Sequence, residues 1–189
     1  MILPFRLVCI DIETTDVSSK LGSIIQLSAV VVDNNFEPIR TREFNEYIKP
    51  LDSYRSCKAM EVNQISEETL KTALTLHEAL ILFESFCEKE NILASWGAYF
   101  DIPFLKAQYE KINKKWPFSH RTFDLKTVAI WELAKRDIQM TGGVKKILNA
   151  LNKEFVGIQH DSLDDIKNAV EILRYLKLND NKRSIYQNT

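Results

Sequence analysis

Eight residues, Leu7-Val8-Cys9-Ile10-Asp11-Ile12-Glu13-Thr14, constrain this chain more than any other segment. Up to its end the run is apolar on both faces, the pattern of a strand buried in the middle of a covered sheet. It then delivers two carboxylates. Side chains two apart along a strand share a face, so Asp11 and Glu13 leave the same side with Cα atoms roughly 6.5–7 Å apart. Carboxylates that close repel each other unless a cation lies between them. A hard divalent ion with oxygen ligands is the simplest partner. The alternative is a strand running out into an ordinary acidic loop. Position brings the two readings level, because open α/β sheets bind ligands where such strands end.

The rest of the chain gives that strand a setting. Its 189 residues suit one domain, read here as residues 1–178 followed by a polar tail over 179–189. Hydrophobic residues make up 45%, enough for a core and too many for a disordered chain. The formal net charge of -1 announces no basic field, so any polyanion must be met by local positive charge. Cys9, Cys57 and Cys87 are far apart and form no CxxC pair; Cys9 and Cys87 read as small core residues of a protein from a reducing compartment. The first ten residues are too short an apolar run to span a membrane. They also lack a basic start and a small-residue cleavage site, so neither a membrane segment nor a signal peptide is expected. The expected setting is cytoplasmic, or nuclear in a cell with a nucleus.

Strands are expected over residues 5–12, Ile24–Val32 and 42–48, rich in β-branched residues or alternating, with a turn at Asp33-Asn34-Asn35 and a stop at Pro50. Short connections make these an antiparallel meander. A helix start at Ser66-Glu67-Glu68 and an apolar stripe over 76–90 (Ala79, Leu80, Phe83, Phe86, Cys87) follow. Residues 91–96 read as a parallel strand returning to the sheet. Helices are expected over 101–112, 125–136, 144–151 and 162–178, the last burying Leu163, Ile166, Ala169, Val170, Leu173 and Leu176. The sum is an α/β chain with a mixed sheet, an antiparallel meander plus a parallel strand, flanked by helices.

Two further acidic positions stand out. Asp101 lies near a helix start, where an acid serves as a cap or favours the helix dipole. The segment before it is aromatic rather than polar: Trp96, Tyr99 and Phe100 either stack on bases or fill the core. Later, His160-Asp161-Ser162-Leu163-Asp164-Asp165 precedes the last helix. Ser162 with Asp165 resembles a capping box, which would make Asp165 structural. His160 lies just outside that helix, where its ring reaches the same turn and is placed to move a proton near neutral pH. His77 and His120 have no acidic partner at a telling spacing.

Together, Asp11-Ile12-Glu13-Thr14, Phe100-Asp101 with Phe104-Leu105, and His160 with Asp165 five later resemble the DEDDh exonucleases, the DnaQ-like 3′-to-5′ exonucleases of the ribonuclease H-like superfamily. The likeness covers residues 8–176. Met60-Glu61-Val62-Asn63-Gln64-Ile65-Ser66, Thr122-Phe123-Asp124-Leu125 and Gly143-Val144-Lys145-Lys146-Ile147-Leu148 are less diagnostic features of the same kind. Trp96-Gly97 stands where the proofreading branch often has His-Asn, and resembles the branch of RNA-trimming enzymes. Asp161 stands where a small or basic residue is commoner.

The resemblance implies an α/β ribonuclease H-like fold, a mixed five-stranded sheet (antiparallel meander plus parallel strands) flanked by helices, in which Asp11, Glu13, Asp101 and Asp165 hold two divalent ions, Mg²⁺ or Mn²⁺, with His160 as general base. It implies removal of 5′ mononucleotides from the 3′ end of single-stranded RNA or DNA. Thr14 and Thr15 would meet the 3′ hydroxyl through their amides, Met60 or Val62 would wedge against the last base, and Trp96 and Tyr99 would stack. The basic stretch Lys106, Lys111, Lys114, Lys115 and Arg121 is a candidate guide for the strand, or plain solvated surface. The competing readings are a non-catalytic nucleic-acid-binding module of the same fold, a phosphoesterase acting on free nucleotides, and the proofreading subunit of a polymerase, for which a polymerase or RNA-processing complex would be the protein partner.

Overall fold

The computed structural model describes residues 5–90, 92–139 and 142–186, side chains at 40 and 179–186 excepted. Its five-stranded sheet has the order β3-β2-β1-β4-β5. The strands are β1 (Leu7–Thr14), β2 (Ile24–Val32), β3 (Pro38–Tyr47), β4 (Leu93–Ser95) and β5 (Thr122–Asp124). β1 pairs antiparallel with β2, and β2 with β3; β4 runs parallel to β1, and β5 to β4. The apolar run thus occupies the middle of the sheet, as its two-sided pattern requires.

Helices α1 (Cys57–Asn63), α2 (Glu67–Thr72), α3 (Leu76–Cys87), α4 (Ala98–Lys111), α5 (Leu125–Ala134), α6 (Val144–Ala150) and α7 (Ser162–Tyr186) complete the described residues. The alternation along β1 sorts the two sides. Leu7 and Cys9 pack with α5, α6 and α7 through Ala129, Leu133, Ile147, Ile166, Ala169 and Val170. Val8, Ile10 and Ile12 pack the other way, with Phe83 and Leu80 of α3 and Phe104 and Tyr109 of α4. Continuing the odd-numbered face past the core brings Asp11 and then Glu13 out beside the start of α7.

Several expectations shift by a few residues. β3 begins at Pro38, not 42, and α1, a seven-residue helix anchored by Asn63 Nδ2 donating to Thr14 O at 3.2 Å, carries no apolar stripe that would announce it. α4 starts at Ala98, three residues early, because Gly97 takes φ +106 and turns the chain sharply out of β4. Asp101 therefore sits in the first turn of a helix already begun, not at its cap. α7 continues to Tyr186, past the expected end at 178, since residues 179–186 contain no glycine or proline to stop it. Asn91, expected to open a strand, and residues 1–4 and 187–189 lie outside the described residues. Among the described residues no helix is long and apolar enough to cross a membrane.

Candidate active site

Asp11 and Glu13 stand opposite Ser28 and Gln26 on β2. Those two β2 side chains reach across to the first turn of α7. Ser28 Oγ lies 2.6 Å from Ser162 Oγ, and Gln26 Nε2 donates to Asp161 Oδ2 at 3.0 Å. Asn45 Oδ1 on β3 accepts from both Gln26 Nε2 (3.0 Å) and Ser28 Oγ (2.9 Å). The start of α7 is thus tied down beside the acids of β1.

That tie reassigns the helix cap. Ser162 is fully buried against Ser28, so it does not cap with Asp165 as the sequence pattern had it. Asp161 caps instead: its Oδ1 accepts the amides of Leu163 (3.1 Å) and Asp164 (3.2 Å). Asp165 is left to face the acids, accepting the His160 amide on Oδ2 at 3.0 Å. His160 itself takes φ +68, in the left-handed region, at the end of a loop shaped by Gly157 (φ +94). A Cβ at Gly157 would fall 2.2 Å from Asp164 Oδ2, which receives the neighbouring Ile158 amide at 2.8 Å, so that position demands glycine. The result is that one ligand atom each of Glu13, His160 and Asp165 lie within 4.8 Å of one another.

The electrostatics bind Asp11 and Asp101 to the same group. Burial, then Asp101, Glu13, Asp165 and Asp161, hold the Asp11 carboxyl well above the usual carboxylate range; all four of those neighbours are acidic. Burial pushes Glu13 up to about 8, with Asp165, Asp101 and Asp161 adding to it. Asp101 is pushed up to about 7 by burial, against the pull of the Ser95 hydroxyl and backbone amides. Asp165 is also raised, by burial first, although the His160 amide and ring pull it down. The fold therefore holds more negative charge than it balances, a state relieved by protons or by cations. Carboxylate oxygens with one imidazole suit hard divalent ions such as Mg²⁺ and Mn²⁺. Glu13, His160 and Asp165 meet within 4.8 Å, and Asp11 and Asp101 lie near enough for their charges to act on Glu13 and on each other. Asp161 is a further acid that the sequence reading met only as a departure from pattern; its signal was the adjacency of two cap-forming residues, Asp161 and Ser162, either able to start the helix.

The substrate-side expectations divide. Thr15 is fully buried and its amide already donates to Ser23 O at 2.9 Å, so it has no free proton for a 3′ hydroxyl. Thr14 is buried, with its hydroxyl given to Asp16 O at 2.9 Å. Val62 and Tyr99 are exposed, Met60 and Trp96 half-buried. In the basic stretch, Lys114 pairs with Glu84 at 3.2 Å and Lys111 donates to Gly22 O; Arg121 precedes β5, at the strand end opposite Asp124. A cavity of about 520 Å³ opens beside Asp11, His160 and Asp165, walled on its other side by Lys145, Lys146 and Asn149 of α6.

Residues 8–173 match the RNase T family of exonucleases. The chain belongs to that exonuclease family. A PolC-type DNA polymerase III of Lactococcus lactis subsp. lactis is 34% identical over 105 residues, which span 55% of this chain and 6% of the polymerase. The chain thus corresponds to a small part of that relative. Among solved structures, cell-death related nuclease 4 superposes with TM-score 0.79 at 21% identity, over 92% of this chain and 64% of that one. The nuclease domain of 3′hExo, a DEDDh family member solved bound to rAMP, gives 0.74 at 19% identity, over 93% and 92%. These two are likenesses of fold, and they make the mixed sheet with its flanking helices a ribonuclease H-like one, as expected. Exonuclease membership implies dependence on a divalent metal, and Glu13, His160 and Asp165 form a candidate group for holding one.

Proposed function

We propose that this exonuclease-family chain hydrolyses single-stranded RNA or DNA from the 3′ end, releasing 5′ mononucleotides. The observation that carries the reading is the convergence of Asp11, Glu13, Asp101, His160 and Asp165, with Glu13, His160 and Asp165 offering ligand atoms within 4.8 Å of one another. Asp11, Glu13, Asp101 and Asp165 would hold two divalent ions, which would supply charge compensation and raise the acidity of water at the site. His160 accepts the proton of the attacking water on a ring nitrogen, the Asp165–amide contact fixing the backbone from which the ring projects. The buried ties from Ser28 and Gln26 keep the start of α7 from drifting, so positioning is done before substrate arrives. The attack proceeds in line on the terminal phosphodiester: the new P–O bond forms as the P–O3′ bond breaks, the leaving 3′ oxygen takes a proton from solvent to become the new 3′ hydroxyl of the shortened strand, and the last nucleotide departs as its 5′ monophosphate.

The likeness to a DNA polymerase supports a DNA strand, and the likeness to a domain solved with rAMP supports RNA. Both belong in the test. End-labelled single- and double-stranded RNA and DNA, each with Mg²⁺, Mn²⁺ or chelator, should give a ladder shortening one nucleotide at a time from the 3′ end. Binding without shortening in Mn²⁺ would instead favour a non-catalytic module.

A further inference from the structure

We propose that the cavity between α6 and the acid cluster carries the backbone of the strand on the 5′ side of the bond being cut, with Lys145 and Lys146 as its cations; this rests on the single-strand substrate named above. The cavity shares Asp11, His160 and Asp165 with the cluster, so whatever fills it continues directly from the reacting phosphate. It takes in Trp96 and α6, and none of Thr14, Thr15, Met60 or Val62. A strand whose last nucleotide lies against α1 would thus leave over α6. At about 520 Å³ the space falls within the roughly 300–1,000 Å³ of ordinary ligand pockets.

Charge points the same way, independently of that shape. Divalent ions would offset the charge of the acid cluster itself, but a chain of net charge -1 offers the rest of a polyanion no general attraction. Cations beside the cluster would supply the local positive charge that a strand running on from it meets. Many lysines and arginines of the described residues are engaged by carboxylates: Lys114 by Glu84, Lys153 by Glu171, Lys167 by Glu43, Arg174 by Glu37. Among the described residues Lys145 meets only the neutral Gln159 Oε1, at a long 3.4 Å, and both Lys145 and Lys146 are exposed. Val144, Ile147 and Leu148 anchor α6 in the core, which turns Lys145, Lys146 and Asn149 outward on one face at helical spacing. Trp96 adds a second sign of a missing ligand. Its indole Nε1 is buried with no hydrogen-bond partner among the described residues, and an indole can only donate, so an acceptor oxygen would satisfy it.

The test is binding of a 5′-labelled single strand by fluorescence anisotropy in Ca²⁺, over a range of salt, for the wild-type chain and for Lys145→Gln/Lys146→Gln. Two lost phosphate contacts should make the slope of log affinity against log salt shallower by about 1.4, at about 0.7 per contact for single strands, and should weaken binding at low salt. Lys145→Arg/Lys146→Arg should restore the slope. Circular dichroism checks that the fold is intact, as expected for substitutions at exposed positions. An unchanged slope in the Gln variant overturns the inference, and so does a wild-type chain that binds no strand. A wild-type chain that binds with the steep slope yet shortens no strand in Mn²⁺ leaves the subsite standing and removes the hydrolytic reading.

Discussion

Helices α3 and α7 open on similar chemistry and put it to different uses. At α3, Thr75 Oγ1 accepts the Glu78 amide at 3.3 Å, while Glu78 Oε2 accepts the Thr75 amide (2.8 Å) and hydroxyl (2.6 Å). The exposed carboxylate is answered by local donors, and the Thr75 hydroxyl, then its amide, hold its pKa below the usual range. At α7, Asp161 does the capping and Asp165 receives a single amide, that of His160. Asp165 is nonetheless pushed up, because burial and the acids Asp161 and Asp164 outweigh that donor. An acid whose charge is met within its own turn is structural. An acid left over after its turn has been capped by another residue carries charge that the fold has not balanced, and that surplus is what a divalent ion would meet.

The largest test of this contrast substitutes one acid from each helix. Asp165→Asn should lose both divalent-ion affinity and nuclease turnover, whereas Glu78→Gln should leave Mn²⁺ binding and turnover within about twofold, as for a surface change distant from the site. Isothermal titration with Mn²⁺ and initial rates on a labelled strand would separate the two. Equal losses in both variants would mean that the acids of the two helices are not different in kind.

His160→Ala sharpens the comparison within α7. Its imidazole lies among the acids yet is assigned to proton transfer, so removing it should cut turnover by about 10²–10⁴ while the carboxylates still hold the ions. Single-turnover rates with ion titrations would show this. Unchanged turnover would strip His160 of the role, and lost ion binding would make it a ligand.

The surplus charge should also appear as a pH dependence once divalent ions are stripped by chelator. Glu13, pushed up to about 8, and Asp101, up to about 7, bind protons in the folded chain that they would release on unfolding. The folded state therefore holds more protons between about pH 4, the unfolded value, and about pH 8, and stability falls as pH rises through that window. The melting temperature of the chelated chain should decline from about pH 5 to about pH 8, and Mn²⁺ should restore it most at the upper end, where the carboxylates are free to bind. Glu78 has the opposite sign: its depressed pKa stabilises the chain above its unfolded value, and that contribution is lost on acidification. A melting temperature that is flat, or that rises with pH, would show that the acids are already balanced.

What could be read in the sequence follows from how local each feature is. β1 and β2 were legible because their residues are apolar and β-branched, and Asp11 and Glu13 because a two-residue spacing fixes a shared face whatever the tertiary context. β5 has three residues and no periodicity to read. α1 lacks a stripe, its one buried residue being the polar Asn63. The cap of α7 was misplaced because Ser162 looks outward in sequence and is claimed by Ser28, a partner 134 positions away. That Asp101 joins Asp11 depended on Gly97 turning the chain early. Lys145 and Lys146 look like ordinary surface until α6 is seen standing across a cavity from His160.

The smallest expected effect closes the comparison from the side of α3. Thr75→Ala removes the hydroxyl that caps α3 and one of the two donors answering Glu78, and leaves the acids of α7 untouched. Loss of such a cap costs about 1 kcal/mol, which for a chain of this size is about 2–4 °C in melting temperature. Because the depressed pKa of Glu78 depends first on that hydroxyl, the loss should be larger at about pH 7 than in acid, where the contribution of the ionised carboxylate is lost. Asp161→Ala, by contrast, removes a cap of the same kind together with the Gln26 tie, so its cost should exceed that of Thr75→Ala and should carry a loss of turnover with it, since the residues it holds in place include His160 and Asp165. Equal costs and equal turnover in the two variants would mean that the start of α7 is no more than another helix end.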